Sequence, residues 1–246
     1  MGSVIAVVSG KGGTGKTTFT ALIGSALAKQ GFRTLVLDCD IGLRNLDLAL
    51  GLSDRAAMDF TDVASHRCSL DDAAVSHPDC PNLYLLTAPV SMADTIFPKE
   101  EMSSVLQEVR SQFDYCLVDA AAGLGEAFHL ATCFADRVIV VTGTDATSLR
   151  DAQRAVMELH QFPQENVHLV VNRVKRRLLS ALHRTIDDAI DTAGLPLIGI
   201  IPDDISVSLS LGKGCVGLSQ RNTPAQRAAA NIAKRIRGEK VPLMKL

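Results

Sequence analysis

Short runs of apolar, β-favouring residues recur along the chain at 4–8, 34–37, 83–86, 115–118, 138–142, 167–171 and 197–201. They lack the polar alternation of a half-exposed sheet, and near-continuous apolarity is what strands buried on both faces require. Helical stretches over 16–30, 99–112, 147–160 and 180–193 lie between them. Such stretches supply the right-handed crossovers of a parallel sheet. Gly31 and Gly194 fall just before strands, where a helix C-terminus favours a residue free to take positive φ. The pattern predicts an α/β fold, doubly wound and mainly parallel, with helices on both faces. Residues 1–238 are expected to form one domain and 239–246 a short tail. In such a sheet ligands bind beyond the carboxyl ends of the strands. The residues to examine therefore follow Val8, Leu37, Val118, Val141, Val171 and Ile201.

Composition narrows the class. At 246 residues, 47% apolar and 21% charged, the chain is not disordered, collagen-like or a coiled coil. The formal charge is −2, from 25 basic and 27 acidic residues, so nucleic-acid or membrane binding would need a local patch. No apolar run approaches the roughly 20 residues that span a bilayer. The N-terminus has neither a basic leader nor a cleavage site, which argues against export. Six cysteines are scattered without a C-x-x-C pair, as in a reduced, cytoplasmic protein with no structural zinc or disulfide.

After the first apolar run comes Ser9-Gly10-Lys11-Gly12-Gly13-Thr14-Gly15-Lys16-Thr17-Thr18, which matches G-x-x-x-x-G-K-[ST]. Glycines let backbone N–H groups turn inward around phosphate oxygens, and the helix that follows points its positive end at the same anion. Lys16 is expected at the β- and γ-phosphates and the Thr17 hydroxyl on Mg²⁺. Asp38 and Asp40, two apart at the end of the second run, point to one side if extended. Asp119, after the apolar run 115–118, suits magnesium coordination through water. By residue type alone, a solvated surface lysine is the minor alternative for Lys11, and Asn172 and Pro202 are equally turn formers.

Lys11 is a second lysine inside the loop, and K-G-G-x-G-K-[ST] resembles the deviant Walker A motif of the MinD/ParA/nitrogenase-iron-protein ATPases. The run I-G-L-R-N-L-D-L (41–48) resembles the switch segment of the septum-site branch of that family more than its DNA-partition branch. Val170-Val171-Asn172-Arg173 and Ile201-Pro202-Asp203-Asp204 resemble its adenine-contacting segments. The resemblance implies an ATPase that binds Mg-ATP as a sandwich dimer. Lys11 would then reach the partner's phosphates, Asp40 would orient the attacking water and Asp38 would belong to the magnesium shell. Asn172, Arg173, Pro202 and Asp203 would hold the base. Where the family usually shows D-[ST]-P-A-G, this chain has Asp119-Ala120-Ala121-Ala122-Gly123, keeping the carboxylate without the hydroxyl and proline.

The resemblance also implies partners: a division inhibitor and an ATPase stimulator at the helix opening with 144–152, and an anionic membrane surface. The stretch 224–237 reads as a terminal helix with one basic face, and Pro242 interrupts the tail behind it. Three alternatives stand beside this reading: a flagellar-placement or other positioning ATPase, a DNA-partition ATPase and a nucleotide-binding scaffold without turnover. Near-neutral charge argues against DNA.

Overall fold

Successive strand residues alternate between two apolar layers, and this alternation places everything else. Val4, Ala6 and Val8 face one layer, whereas Ile5 and Val7 face the other. The computed structural model describes residues 1–41, 43–91, 97–175, 177, 185–219 and 222–244. Its sheet holds β1 (Ser3–Val8), β2 (Thr34–Cys39), β3 (Val75–His77), β4 (Cys80–Leu86), β5 (Tyr115–Ala120), β6 (Arg137–Thr142), β7 (Val167–Val174) and β8 (Leu197–Pro202). The order is β3-β4-β2-β5-β1-β6-β7-β8, parallel except for β3 on β4. The chain leaves β1 toward β2 on one side and later returns to place β6 on the other. The carboxyl end of β1 is therefore a topological switch point, where such sheets bind ligands.

The helices divide between the layers. One face is covered by α1 (Lys16–Lys29), α2 (Asn45–Leu50) and, beyond β8, α10 (Pro224–Ile236). The other carries α3 (Phe60–Ala64), α4 (Leu70–Ala73), α5 (Lys99–Gln112), α6 (Glu126–Thr132), α7 (Ala146–Glu158) and α8 (Ile186–Ala193). A short helix α9 (Ile205–Leu211) follows β8. Helix α1 is buried from Phe19 to Ala28 because it lies between the sheet and α10. Its approach to the sheet is close: a Cβ on Gly24 would stand 2.5 Å from Val36 Cγ1.

All the expected parallel strands form, and the helix expected at 99–112 is α5 to the residue. One element was not foreseen, and one is described only in part. The antiparallel β3 was not expected, because three residues with one buried side chain make no apolar run. Of the helix expected at 180–193, α8 covers Ile186–Ala193, and 180–184 lie outside the described residues. The shorter helices α3 and α4 are fixed by capping boxes at Asp59 and Ser69 rather than by periodicity. Gly194 is the positive-φ C-cap of α8, as its position suggested. All six cysteines are free thiols. Among the described residues no helix is long and apolar enough to cross a membrane.

Substituting Gly24→Val would force α1 off β2. Overpacking of this kind costs about 1–3 kcal/mol, so the urea midpoint of the variant should fall while the dependence on denaturant stays unchanged.

Candidate nucleotide site

The turn from β1 into α1 is shaped by glycines with separate jobs. Gly13 and Gly15 hold φ of 81° and 83°, which lets the loop curl over the helix N-terminus. Gly10 is needed for space, since a Cβ there would stand 2.0 Å from the Asp151 carbonyl oxygen of α7. Lys16 opens α1 and turns its ammonium inward, where Nζ lies 3.1 Å from Asp119 Oδ1; both side chains are almost wholly buried. The Thr20 hydroxyl, one turn along α1, stands 3.2 Å from the same oxygen and 3.1 Å from Lys16 O. Asp119 Oδ2 is buried with no hydrogen-bond partner, and so is Thr14 Oγ1.

Asp38 and Asp119 are direct neighbours across β2 and β5. Asp38 accepts from Asp40 N at 2.8 Å and from Leu46 N at 3.1 Å, which ties the strand end to the start of α2. Burial, and after it the neighbouring Asp119 charge, push the Asp38 carboxyl up to about 7. Partial burial also raises Asp40, although Lys16 opposes it. Two close carboxylates beneath the loop, one with an orphaned oxygen, and Thr17 on the lining of the larger cavity suit a hard divalent cation. Among the described residues no three carboxylate, imidazole or thiol groups converge to hold a metal alone. Magnesium needs no such cage, because it takes its other ligands from phosphate and water.

The loop divides two cavities. The larger, about 900 Å3, is bounded by the loop from Lys11 to Thr18 and by Asp40, Leu43, Leu48, Ala122, Arg173 and Lys213. The smaller, about 530 Å3, runs from Lys11–Thr14 to Asp145, Asn172, Arg173, Lys175 and Asp203. Asn172 is buried, and its side-chain N–H donates to Thr14 O at 2.9 Å, so it braces the loop. Arg173 holds φ of 53° and donates from Nη1 to Gly13 O at 3.1 Å. Arg44, between two residues that line the larger cavity, holds φ of 44° at the start of α2. Pro202 ends β8, and Asp203 N donates to Val174 O at 2.9 Å.

Lys11 stands apart from Lys16. Its side chain is 34% exposed, and Nζ lies 3.2 Å from Asp145 Oδ1 and 3.0 Å from Thr147 Oγ1, at the start of α7. Partial burial by itself would raise the Asp145 carboxyl. Hydrogen bonds from the Ser148 and Thr147 side chains, the Ser148 backbone and Lys11 instead hold it well below the usual carboxylate range. Ala120 is packed in the core, and Ala122 lines the larger cavity near Gly12. The tail lies on the body: the Arg235 guanidinium donates to Ile198 O at 2.8 Å, Val241 O at 3.0 Å and Pro242 O at 2.6 Å. Residues 245–246 lie outside the described residues.

The motif located every loop residue but not the partners of its two lysines. Thr20 was legible in principle, four residues after Lys16 on one helix face. Lys213 and the contact of Lys11 with Asp145 and Thr147 arise from segments far apart in sequence, with no local signal.

A phosphate loop at the switch point, a buried lysine–aspartate pair and strand-end carboxylates define a P-loop nucleotide-binding protein. The chain belongs to the CobQ/CobB/MinD/ParA nucleotide-binding family, whose model matches residues 5–215. It is 38% identical to the septum site-determining protein MinD of Bacillus subtilis, over 100% of this chain and 93% of that protein. For the MinD of Synechocystis the identity is 36%, over 99% and 92%. Its fold matches MinD in a MinC:MinD cell division protein complex from Aquifex aeolicus with a TM-score of 0.91 and 35% identity, covering 99% and 98%. It also matches MinD complexed with Mg-ADP from Pyrococcus horikoshii with a TM-score of 0.82 and 26% identity, covering 96% of each. The chain is thus a MinD-like member of a nucleotide-binding ATPase family.

A carboxyl whose pKa is higher folded than unfolded weakens the fold as pH rises. For Asp38 this cost is absent below about pH 4 and complete above about 7. Without divalent cations, Asp38→Asn should therefore gain stability over the parent as pH rises through that window. Urea midpoints across the range measure the difference.

Proposed function

We propose that this chain is a MinD-type ATPase that binds Mg-ATP, dimerises face to face through its nucleotides and recruits a cell-division inhibitor at a membrane surface. The observation that carries the reading is Lys11. It occupies the second lysine position of the loop, is partly exposed and is held by contacts at the start of α7 that it can exchange for a phosphate. In this reading residues 1–238 are the ATPase domain and 239–246 the membrane-associating tail. The partner is the chemical class present in the Aquifex complex, a MinC-type inhibitor.

The residues divide the work. Backbone N–H groups of Gly12, Gly13, Thr14 and Gly15 cradle the phosphates, with Thr18 beside them. Lys16 leaves Asp119 for the β- and γ-phosphates. Thr17, Asp38 and Asp119 would hold magnesium, which would supply charge neutralisation for the phosphates. Asp40 orients the attacking water from the cavity wall. Water attacks the γ-phosphorus in line, the bond to the β-phosphate bridging oxygen breaks, and the water protons pass to the released phosphate and solvent. Lys11 from the opposite copy neutralises charge on the moving phosphoryl group. Asn172 and Arg173, with Pro202 and Asp203, border the base. Stimulation by a partner on α7 acts on the segment that holds Lys11.

Two measurements test this. Lys16→Ala should lose ATP binding and phosphate release, whereas Lys11→Ala should still bind ADP but no longer dimerise in ATP, by light scattering. Steady phosphate release that is insensitive to Lys16→Ala would sink the assignment, and no release from the parent would favour a scaffold. Co-sedimentation with anionic liposomes should occur in ATP rather than ADP and disappear on removal of residues 239–246. ATP-dependent pelleting with duplex DNA, and none with lipid, would instead favour a partition ATPase.

A further inference from the structure

We propose that Lys213 is a further nucleotide-binding residue, holding the α-phosphate side of the nucleotide from the wall opposite the phosphate loop. The proposal rests on the reading of this cavity as a nucleotide site. Four cationic side chains border the larger cavity. Lys16 is paired with Asp119, Lys11 with Asp145, and Arg173 donates to Gly13 O. The Lys213 ammonium makes no ion pair or hydrogen bond with any described residue. Lys213 is exposed and can turn to an incoming anion without losing a contact to a described residue, whereas the other three must first exchange a partner.

Its position is built rather than incidental. Lys213 follows α9 between Gly212 and Gly214, and the loop is fastened at several points. Val216 N donates to Ala49 O at 3.1 Å, Ser25 Oγ to Val216 O at 3.2 Å and Lys29 Nζ to Gly217 O at 2.8 Å. Gly214 packs backbone to backbone on Gly51, the C-cap of α2. A Cβ on Gly51 would stand 2.6 Å from Gly214 O, and one on Gly214 would stand 2.7 Å from Gly51 Cα. Neither position admits a side chain, and both have positive φ. The loop that carries Lys213 is thereby locked to the helix that follows Asp38 and Asp40.

The flank it occupies says which part of the nucleotide it meets. Lys213 also borders a smaller cavity that reaches Leu22, six residues on from Lys16 and about 9 Å further along α1. The reacting end of a triphosphate faces Asp119 and Asp40. The nucleoside end must leave across the first turns of α1, where Arg173 and Lys213 stand on the walls. A cation there acts on affinity for diphosphate and triphosphate alike, and not on the chemical step.

The test is equilibrium binding of a fluorescent ADP and of ATP to the full chain, with steady-state hydrolysis alongside. Lys213→Gln should raise the Kd for both nucleotides about tenfold and raise KM similarly while kcat changes less than twofold. Lys213→Arg should restore most of the affinity. The affinity of the parent should fall more steeply with salt than that of Lys213→Gln, a difference that loss of a helix-end charge alone would not produce. A Kd for Lys213→Gln within twofold of the parent, or an equal loss in Lys213→Arg, overturns the proposal while leaving the nucleotide reading intact. If the parent binds neither nucleotide, both fall together.

Discussion

Two carboxylates, Asp38 and Asp119, are forced side by side by the register of β2 and β5, at a depth where neither touches solvent. Like charges so close in a low-dielectric interior repel strongly, and much of the surrounding arrangement answers that repulsion. Lys16 lends its ammonium to Asp119, Thr20 adds a hydroxyl, and Asp40, just past β2, and Leu46 of α2 donate backbone N–H groups to Asp38. An isolated protein can relieve the remainder by keeping a proton on Asp38. In the proposed function, a cation supplied with a nucleotide would relieve it more completely and release Lys16 for phosphate, so that binding and electrostatic relief would be one event.

The same loop separates its two lysines by environment. Lys16 is drawn inward by a buried charge, while Lys11 lies at the surface against Asp145 and Thr147. Burial makes the first contact costly to break unless another charge replaces it. Exposure leaves the second worth little, as surface ion pairs generally are. One lysine is thus bound to the site and the other is easily transferred, although they lie five positions apart in sequence. Asn172 and Arg173 brace the backbone between them, and the positive φ of Arg173 directs its side chain back across the loop.

The sheet was legible because its strands are buried on both faces, and such burial leaves apolar runs that can be read directly. The phosphate loop was legible because its glycines and Lys16 act through backbone geometry at fixed spacing. What escaped was held by tertiary contact. β3 has only His77 buried, with a ring nitrogen 3.1 Å from Leu50 O. The short helices rest on caps, and the loop carrying Lys213 is fixed by a glycine contact between segments more than 150 residues apart. Asp38 stands at the end of its apolar run, but its raised pKa comes from burial and, after it, from Asp119, three strands later in the sequence. Local pattern encodes elements and backbone-driven motifs; pairing across distant strands it leaves unwritten.

Helix α1 is enclosed between the sheet and α10 along most of its length. A rod clamped on both sides cannot report what is bound at its tip by moving, so the phosphate loop acts as a fixed anvil. In the proposed function, displacement on loading would fall on the more exposed parts around it, above all the start of α7 where Lys11 meets Asp145 and Thr147. In hydrogen-exchange terms the centre of α1 belongs with the slowest amides, opening only with the whole fold, while a bound nucleotide would change exchange at the rim. In the proposed function a charge event at the loop would therefore be read at the surface, because the centre of the fold is clamped.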